Sequence, residues 1–325
     1  MMPWYLHRVS SRAKTSRNRP QPRLRLRAGG VTSWVYVTAR RSYPSDVSDA
    51  RWALIEPVLA AWQAARLARS PVPVQPKYEL REIWNALLYL NRTGVQREYL
   101  PHDFPHFKSV NSYYNSWRDE GVFERLNTDM TRLARVKAGR DPEPTAAIID
   151  TQSVKTSGNV PAAGQGIDAG KKIAGRKRGI LTDTLGLVLA VIVAAASMTE
   201  NTAGIRMLSQ ARATHPRIEH AWADEGFKNQ ATKHAATLGI TLETVPRRSD
   251  IKGFHVIKRR WVIERTFGWL MMHRRLARDY EKLPESSQSM IHLAMIDNSA
   301  KRITSETTPT WHDWPADTPI TTSTL

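Results

Sequence analysis

Hydrophobic positions recur every three or four residues through the first third of the chain beyond Tyr43. In "DVSDARWALIEPVLAAWQ", Trp52, Ile55 and Leu59 fall on one side of a helix that Ser45 or Ser48 can cap. The Pro-rich break "SPVPVQP" ends it. The spacing returns in "ELREIWNALLYLNRTG" at Ile83, Leu87 and Leu90, with Gly94 as a stop. Two more helices are predicted, starting near Ser109 and Phe123. From Pro144 the period changes. "TAAIID" reads as a short buried strand ending on Asp150, and "GILTDTLGLVLAVIVAAAS" as a hairpin turning at Asp183–Gly186. A helix over Thr202–Ala213, a strand "IEHAWAD" ending on Asp224 and a helix around Asn229–Leu238 follow. A fifth strand, "ITLETVP", leads to a helix over Arg259–Arg275, and a last helix spans about Glu285–Arg302.

Helices first, then β-β-β-α-β-α-β-α, predict an α/β (mixed α+β) chain whose five-stranded mixed sheet carries helices on its faces. The expected divisions are a basic, disordered extension over 1–42, a helical region over 43–140, a sheet-bearing domain over 141–302 and a disordered Thr/Pro-rich tail over 303–325. The net charge is +18; residues 1–42 hold ten Arg and Lys and no acid, so the rest is basic too. Such a balance favours a polyanion partner, nucleic acid first. The chain has no cysteine, which excludes disulfides, thiolate metal sites and a thiol nucleophile. Its longest apolar run, Leu187–Ala196, is far short of the roughly 20 residues of a membrane span. A soluble, cytoplasmic protein is expected, with no membrane contact.

Three acids stand out by position. Asp150 and Asp224 end predicted strands, and Glu264 lies on the helix after the fifth. That helix places Glu264 on one face with Ile257, Trp261, Gly268 and Met271, where a lone buried carboxylate would cost several kcal/mol. A salt bridge to Arg260 would relieve it; so would a metal. Asp150 and Asp224 each also suit the opening of a polar turn. Taken jointly, three carboxylates at neighbouring element ends would repel by about 4 kcal/mol per pair at 4 Å unless a cation sat among them. Oxygen ligands without sulfur select Mg²⁺ or Mn²⁺, and two such ions suit phosphodiester chemistry. The run Lys171, Lys172, Arg176, Lys177 and Arg178, placed on the loop entering the hairpin, is expected to touch phosphates. "KSVNSYYNSWRDEG" fits either a recognition helix or a core helix.

The segments "IIDTQSVKTSG", "DAGKKIAGRKRGILTDTLGLVLAVIVAAAS", "WADEGF" and "KRRWVIERTFGWLMMHRRLARDYEKLPESSQSMIHLAMI" resemble the catalytic region of bacterial insertion-sequence transposases of the DDE class, in the group numbered five. "YPSDVSDARWALIEPVL", "REIWNALLYLNRTG" and "LPHDFPHFKSVNSYYNSWRDEGVFERL" resemble that group's N-terminal helical region. The resemblance runs from about Tyr43 to Arg302. It implies a ribonuclease H-like domain behind a small all-helical DNA-binding domain, with Asp150, Asp224 and Glu264 as the metal-binding triad. It further implies double-stranded DNA as partner, cleavage of element ends, joining of a 3′ hydroxyl to target DNA, and a homodimer assembled on DNA in the bacterial nucleoid. Related transposases carry Tyr, Arg, Glu and Lys along the last catalytic helix. Arg260 and Glu264 match, while Ile257 and Met271 depart, so Lys258, Arg274 or Arg275 is expected to take over part of the grip on DNA. A nuclease that cuts without joining, and a DNA-binding relative without catalysis, are the alternatives.

Overall fold

The computed structural model describes residues 23–28, 31–36, 40–71, 75–245 and 260–307. The chain divides after Ser42. Before the division, β1 (Arg23–Ala28) and β2 (Val31–Tyr36) form an antiparallel hairpin, with Arg23 opposite Tyr36. This corrects the expectation of disorder throughout 1–42: "RLRLRA" alternates with the period of a strand, and two glycines separate it from "VTSWVY". Ile257, Lys258 and most of the expected tail lie outside the described residues.

Beyond Ser42 come four helices, α1 (Asp49–Ala68), α2 (Leu80–Thr93), α3 (Phe107–Asp119) and α4 (Val122–Lys137). Ser48 caps α1 by accepting from the Arg51 amide at 3.2 Å. Gly94 ends α2 in the left-handed region at φ 74°, and a side chain there would press on the backbone of Arg274 at 3.2 Å. In α3, Val110, Tyr114 and Trp117 are buried, and Trp117 packs among Trp62, Trp84, Tyr113 and Phe123. These aromatic residues serve the core.

The sheet is built from β3 (Ala146–Lys155), β4 (Gly166–Asp168), β5 (Ile173–Asp183), β6 (Val188–Ala195), β7 (His220–Asp224) and β8 (Thr241–Val245). β5 pairs antiparallel with β3, β4 and β6; β3–β7 and β7–β8 are parallel. The mixed sheet is as expected, with β4 as an extra short strand. β3 and β5 are also longer than their apolar runs. Their ladder continues through polar residues, Lys155 opposite Gly175 and Gln152 opposite Arg178.

Helices α5 (Glu200–Thr214) and α6 (Gln230–Thr237) cover one face. There Ala147, Ile149, Leu181 and Ala223 meet Met207, Leu208 and Ala231. The other face, with Ile148, Ile180, Val191 and Trp222, shares a core with α1–α4, α7 (Trp261–Met271) and α8 (Pro284–Thr304). Residues 43–140 and 141–302 therefore pack as layers around one shared core. Strand alternation puts Asp150, in step with Ile148, on the α7 side.

Candidate metal centre

Strand β3 runs on through Asp150 to Lys155, so Asp150 lies mid-strand instead of at a strand end. Asp224 does end β7, and its Oδ1 accepts from the Gly226 amide at 3.0 Å in the turn that follows. Because β7 lies parallel and adjacent to β3, the two aspartates come together at the edge where β7 stops. Arg260 joins them from the α7 side. Its Nη2 is 3.3 Å from Asp150 Oδ2 and 3.9 Å from Asp224 Oδ2. Burial of Asp150 pushes its pKa up to about 6, against the lowering effect of Arg260 and of the Thr151 amide; Asp224 pushes the same way as burial. A desolvated carboxylate beside a second one is short of positive charge.

Helix α7 is seated by the hairpin turn. Thr266 Oγ1 donates to Gly186 O at 3.0 Å and Arg265 Nη2 to Leu185 O at 3.0 Å. Gly186 has φ 80°, and a Cβ on it would fall 2.8 Å from Thr266 Oγ1. Arg265 also lies between Trp261 and Trp269, 4.4 and 4.6 Å from the ring centres. The buried stripe is Val262, Ile263, Thr266, Phe267 and Leu270.

That stripe corrects the expected orientation of Glu264. Its face holds Trp261 and Met271, 42% and 41% exposed, and Gly268, around which a Cβ would meet nothing within 4 Å. The carboxylate sits on a solvent face and carries no desolvation cost. It makes no hydrogen bond or ion pair with another described residue. Among the described residues, no three His, Asp or Glu side chains converge tightly enough to hold a metal. The structure thus brings Asp150, Asp224 and Arg260 together and leaves Glu264 outside, one turn along from Arg260.

The expected phosphate contacts divide. Arg176, Lys177 and Arg178 lie in β5, not on a loop, and are buried. Arg176 donates to the carbonyls of Gly164, Glu281 and Lys282 at 3.0, 2.7 and 2.8 Å, and pairs with Asp279 at 3.3 Å. Lys177 is 3.5 Å from Asp168. Arg178 donates to Leu276 O, and burial pulls its pKa down to about 10. Arg275 is buried against Glu281 at 2.6 Å and Val95 O at 3.0 Å. Arg260, too, is buried, against the aspartates. These five are turned inward, whereas Lys171, Lys172 and Arg274 are exposed. The sequence reading missed Asp279, which anchors the segment after α7 to the end of β3. Its amide donates to Lys155 O at 2.9 Å, and its Oδ2 accepts from Ser287 at 2.8 Å.

The donor chemistry of Asp150 and Asp224 fits a hard divalent cation, and the Arg260 guanidinium between them is a positive charge at the place such an ion would neutralise. A cleft of about 1120 Å³ lies elsewhere, between Gly94–Tyr99 and Tyr280–Leu283, and neither aspartate lines it. Among the described residues no helix is long and apolar enough to cross a membrane.

Comparison with known proteins agrees with this layout. No curated protein matches the chain. Residues 47–127, spanning α1 to α4, match the family described as "Putative transposase of IS4/5 family". Residues 141–298, from β3 into α8, match the transposase DDE domain, and both aspartates and Glu264 fall inside that match. The two matches follow one another in the order of the helical and sheet layers, and the chain belongs to the DDE transposases of the IS4/5 type.

Proposed function

We propose that the chain binds the terminal inverted repeats of an insertion sequence, cleaves the DNA there and joins the freed 3′ hydroxyl to target DNA, acting as a homodimer assembled on the DNA. The observation that carries this reading is the desolvated Asp150 facing Asp224 across Arg260, within a DDE domain. Asp150 and Asp224 would hold divalent cations, magnesium or manganese and two in number, and Glu264, which faces solvent one turn along from Arg260, would complete the site once α7 turns on binding DNA. When bound, such ions acidify an attacking water or hydroxyl and stabilise the departing oxygen. The chain's own residues supply the frame. The parallel β3–β7 pair fixes the separation of the aspartates, and the Gly226 amide holds Asp224 in one rotamer. Arg260 keeps the two carboxylates neutralised until other positive charge arrives, and its planar guanidinium then suits a phosphate oxygen. Lys171, Lys172 and Arg274, exposed on the basic body, would supply sequence-independent affinity for the backbone.

A nicking and joining assay on a duplex carrying the element's end tests this. Wild type with Mg²⁺ should nick the end and, given pre-cut ends, join them to target DNA. Asp150→Ala should bind the end and do neither. Nicking without joining would identify a nuclease or resolvase; binding without nicking, a relative that has lost catalysis.

A further inference from the structure

The turn between β4 and β5 is fastened to the second half of β3. Asp168, buried, accepts from the Ser153 hydroxyl and from the Lys171 amide at 3.1 Å, and it pairs with Lys177 at 3.5 Å. Ser153 and Lys177 lie opposite each other in the β3–β5 ladder and alternate to the α5 side of the sheet, away from Asp150. Lys172 closes the turn in the left-handed region at φ 53°, a conformation that a residue other than glycine rarely adopts. Lys171, just before it, is exposed, yet its Nζ turns back to donate to Thr151 O at 3.3 Å.

That carbonyl belongs to the residue after Asp150. In an extended strand the amide and carbonyl of one residue leave by the same edge, and the pattern repeats at every second residue. The Thr151 amide donates to Asp150 Oδ1 at 2.6 Å, and further along the same edge the Lys155 carbonyl accepts from the Asp279 amide. β5 holds the other edge throughout. On the Thr151 edge, β7 pairs with β3 only from Ala146 to Ile148, so Thr151 falls between the end of β7 and the Asp279 segment. The Lys171 ammonium therefore stands at the opening beside the aspartate pair. It pairs with no carboxylate among the described residues, and the Thr151 bond takes one of its three donors.

The other members of the basic run do not share this placement. Arg176, Lys177 and Arg178 are buried against partners of their own, and Lys172 makes no bond to β3. Two cations thus flank the aspartates. Arg260, buried, comes from the α7 side and is engaged by both carboxylates; Lys171 comes with the turn held on the α5 side and is open to an anion. We propose that Lys171 binds the scissile phosphate, its ammonium donating to a non-bridging oxygen of the group that the aspartates face. This rests on the proposed cleavage activity and gives Lys171 a task beyond the general grip on the backbone. Its charge sits where negative charge grows as the P–O bond breaks, and the Asp168 clasp and Thr151 O hold it there before DNA arrives.

Removing the charge of one phosphate tests this. Nicking of a duplex carrying the element's end, by wild type with Mg²⁺, first locates the scissile phosphate, which is then replaced by an uncharged methylphosphonate. Affinity for both duplexes is measured in Ca²⁺, in place of Mg²⁺, by fluorescence anisotropy. Lys171→Gln keeps a donor for Thr151 O and loses the charge, so a lysine that only clamps the turn would leave binding and nicking unchanged. The expected loss is about tenfold in affinity for the natural duplex, with Tm as in wild type. On the methylphosphonate duplex, Lys171→Gln should bind no more weakly than wild type, because the two changes remove one and the same contact. Lys172→Ala should instead weaken binding to both duplexes by the same factor. Lys171→Met repeats the comparison should Lys171→Gln not fold. Wild-type affinity for the natural duplex, or an equal loss on both duplexes, would overturn the role of Lys171 and leave the cleavage reading standing. A wild-type chain that nicks nowhere would overturn both.

Discussion

Asp183 and Asp150 sit on neighbouring strands of one ladder, Asp183 opposite Ala147 and Asp150 opposite Ile180, yet their surroundings differ in kind. Asp183 ends β5 at the hairpin turn and is wholly buried. Its Oδ1 accepts from the amides of Leu185 and Leu187 at 2.9 and 2.8 Å, and its Oδ2 meets the guanidinium of Arg135. Asp150, less deeply placed, has one backbone donor and a looser contact to Arg260 at 3.3 Å. The first carboxylate is saturated and holds a turn. The second is left in want of positive charge, which is what the proposed cation would supply. Burial alone does not separate structural from functional acids; the completeness of their partners does.

Variants can sharpen that contrast. Asp150→Ala should eliminate nicking of element ends while leaving the fold intact, read by a cleavage assay beside thermal melting. Asp183→Asn should do the reverse. Leaving Arg135 buried without its partner should destabilise the chain by about 3–5 kcal/mol, measured by denaturant unfolding. In a chelator, Asp150 should make stability depend on pH in the sense opposite to a paired carboxylate. Its folded pKa of about 6 exceeds the ordinary aspartate value of 3.8, so the folded chain binds the extra proton between those values, and stability rises as pH falls through that window. The gain should approach about 2 kcal/mol and be absent from Asp150→Asn, compared by unfolding at pH 4.5 and pH 7. Smallest of all, Arg178→Met should leave DNA affinity unaltered and stability equal or higher, since a buried charge is exchanged for an apolar side chain. Lys171→Ala with Lys172→Ala should instead weaken DNA binding and flatten its salt dependence by about 0.9 log units per lost phosphate contact, read by titrations at several salt concentrations.

The contrast also marks how far the sequence could be read. The alternation of Ile148 and Ile149, the turn at Asp183–Gly186 and the strand closing on Asp224 follow from local pattern, because turn chemistry and period two are local properties. The pairing of Asp150 with Asp224 needed only the strand order. Glu264 was misplaced because α7 has two apolar stripes, and a wheel drawn through Trp261 and Met271 cannot reveal that Val262, Ile263 and Phe267 are the ones the sheet covers. The arginines of β5 read as loop residues free to touch phosphates. Their destination depends on the carbonyls of Leu276, Glu281 and Lys282, about a hundred residues downstream.

On this reading Asp150 and Asp224 would hold a divalent cation in the place now faced by Arg260. Anomalous diffraction at the manganese edge, from crystals of the full chain grown with Mn²⁺, tests it most directly. Anomalous density is expected between the two carboxylates, with the Arg260 guanidinium moved away from Asp150. A map showing Arg260 still bridging the pair, with manganese absent from both aspartates, would contradict it.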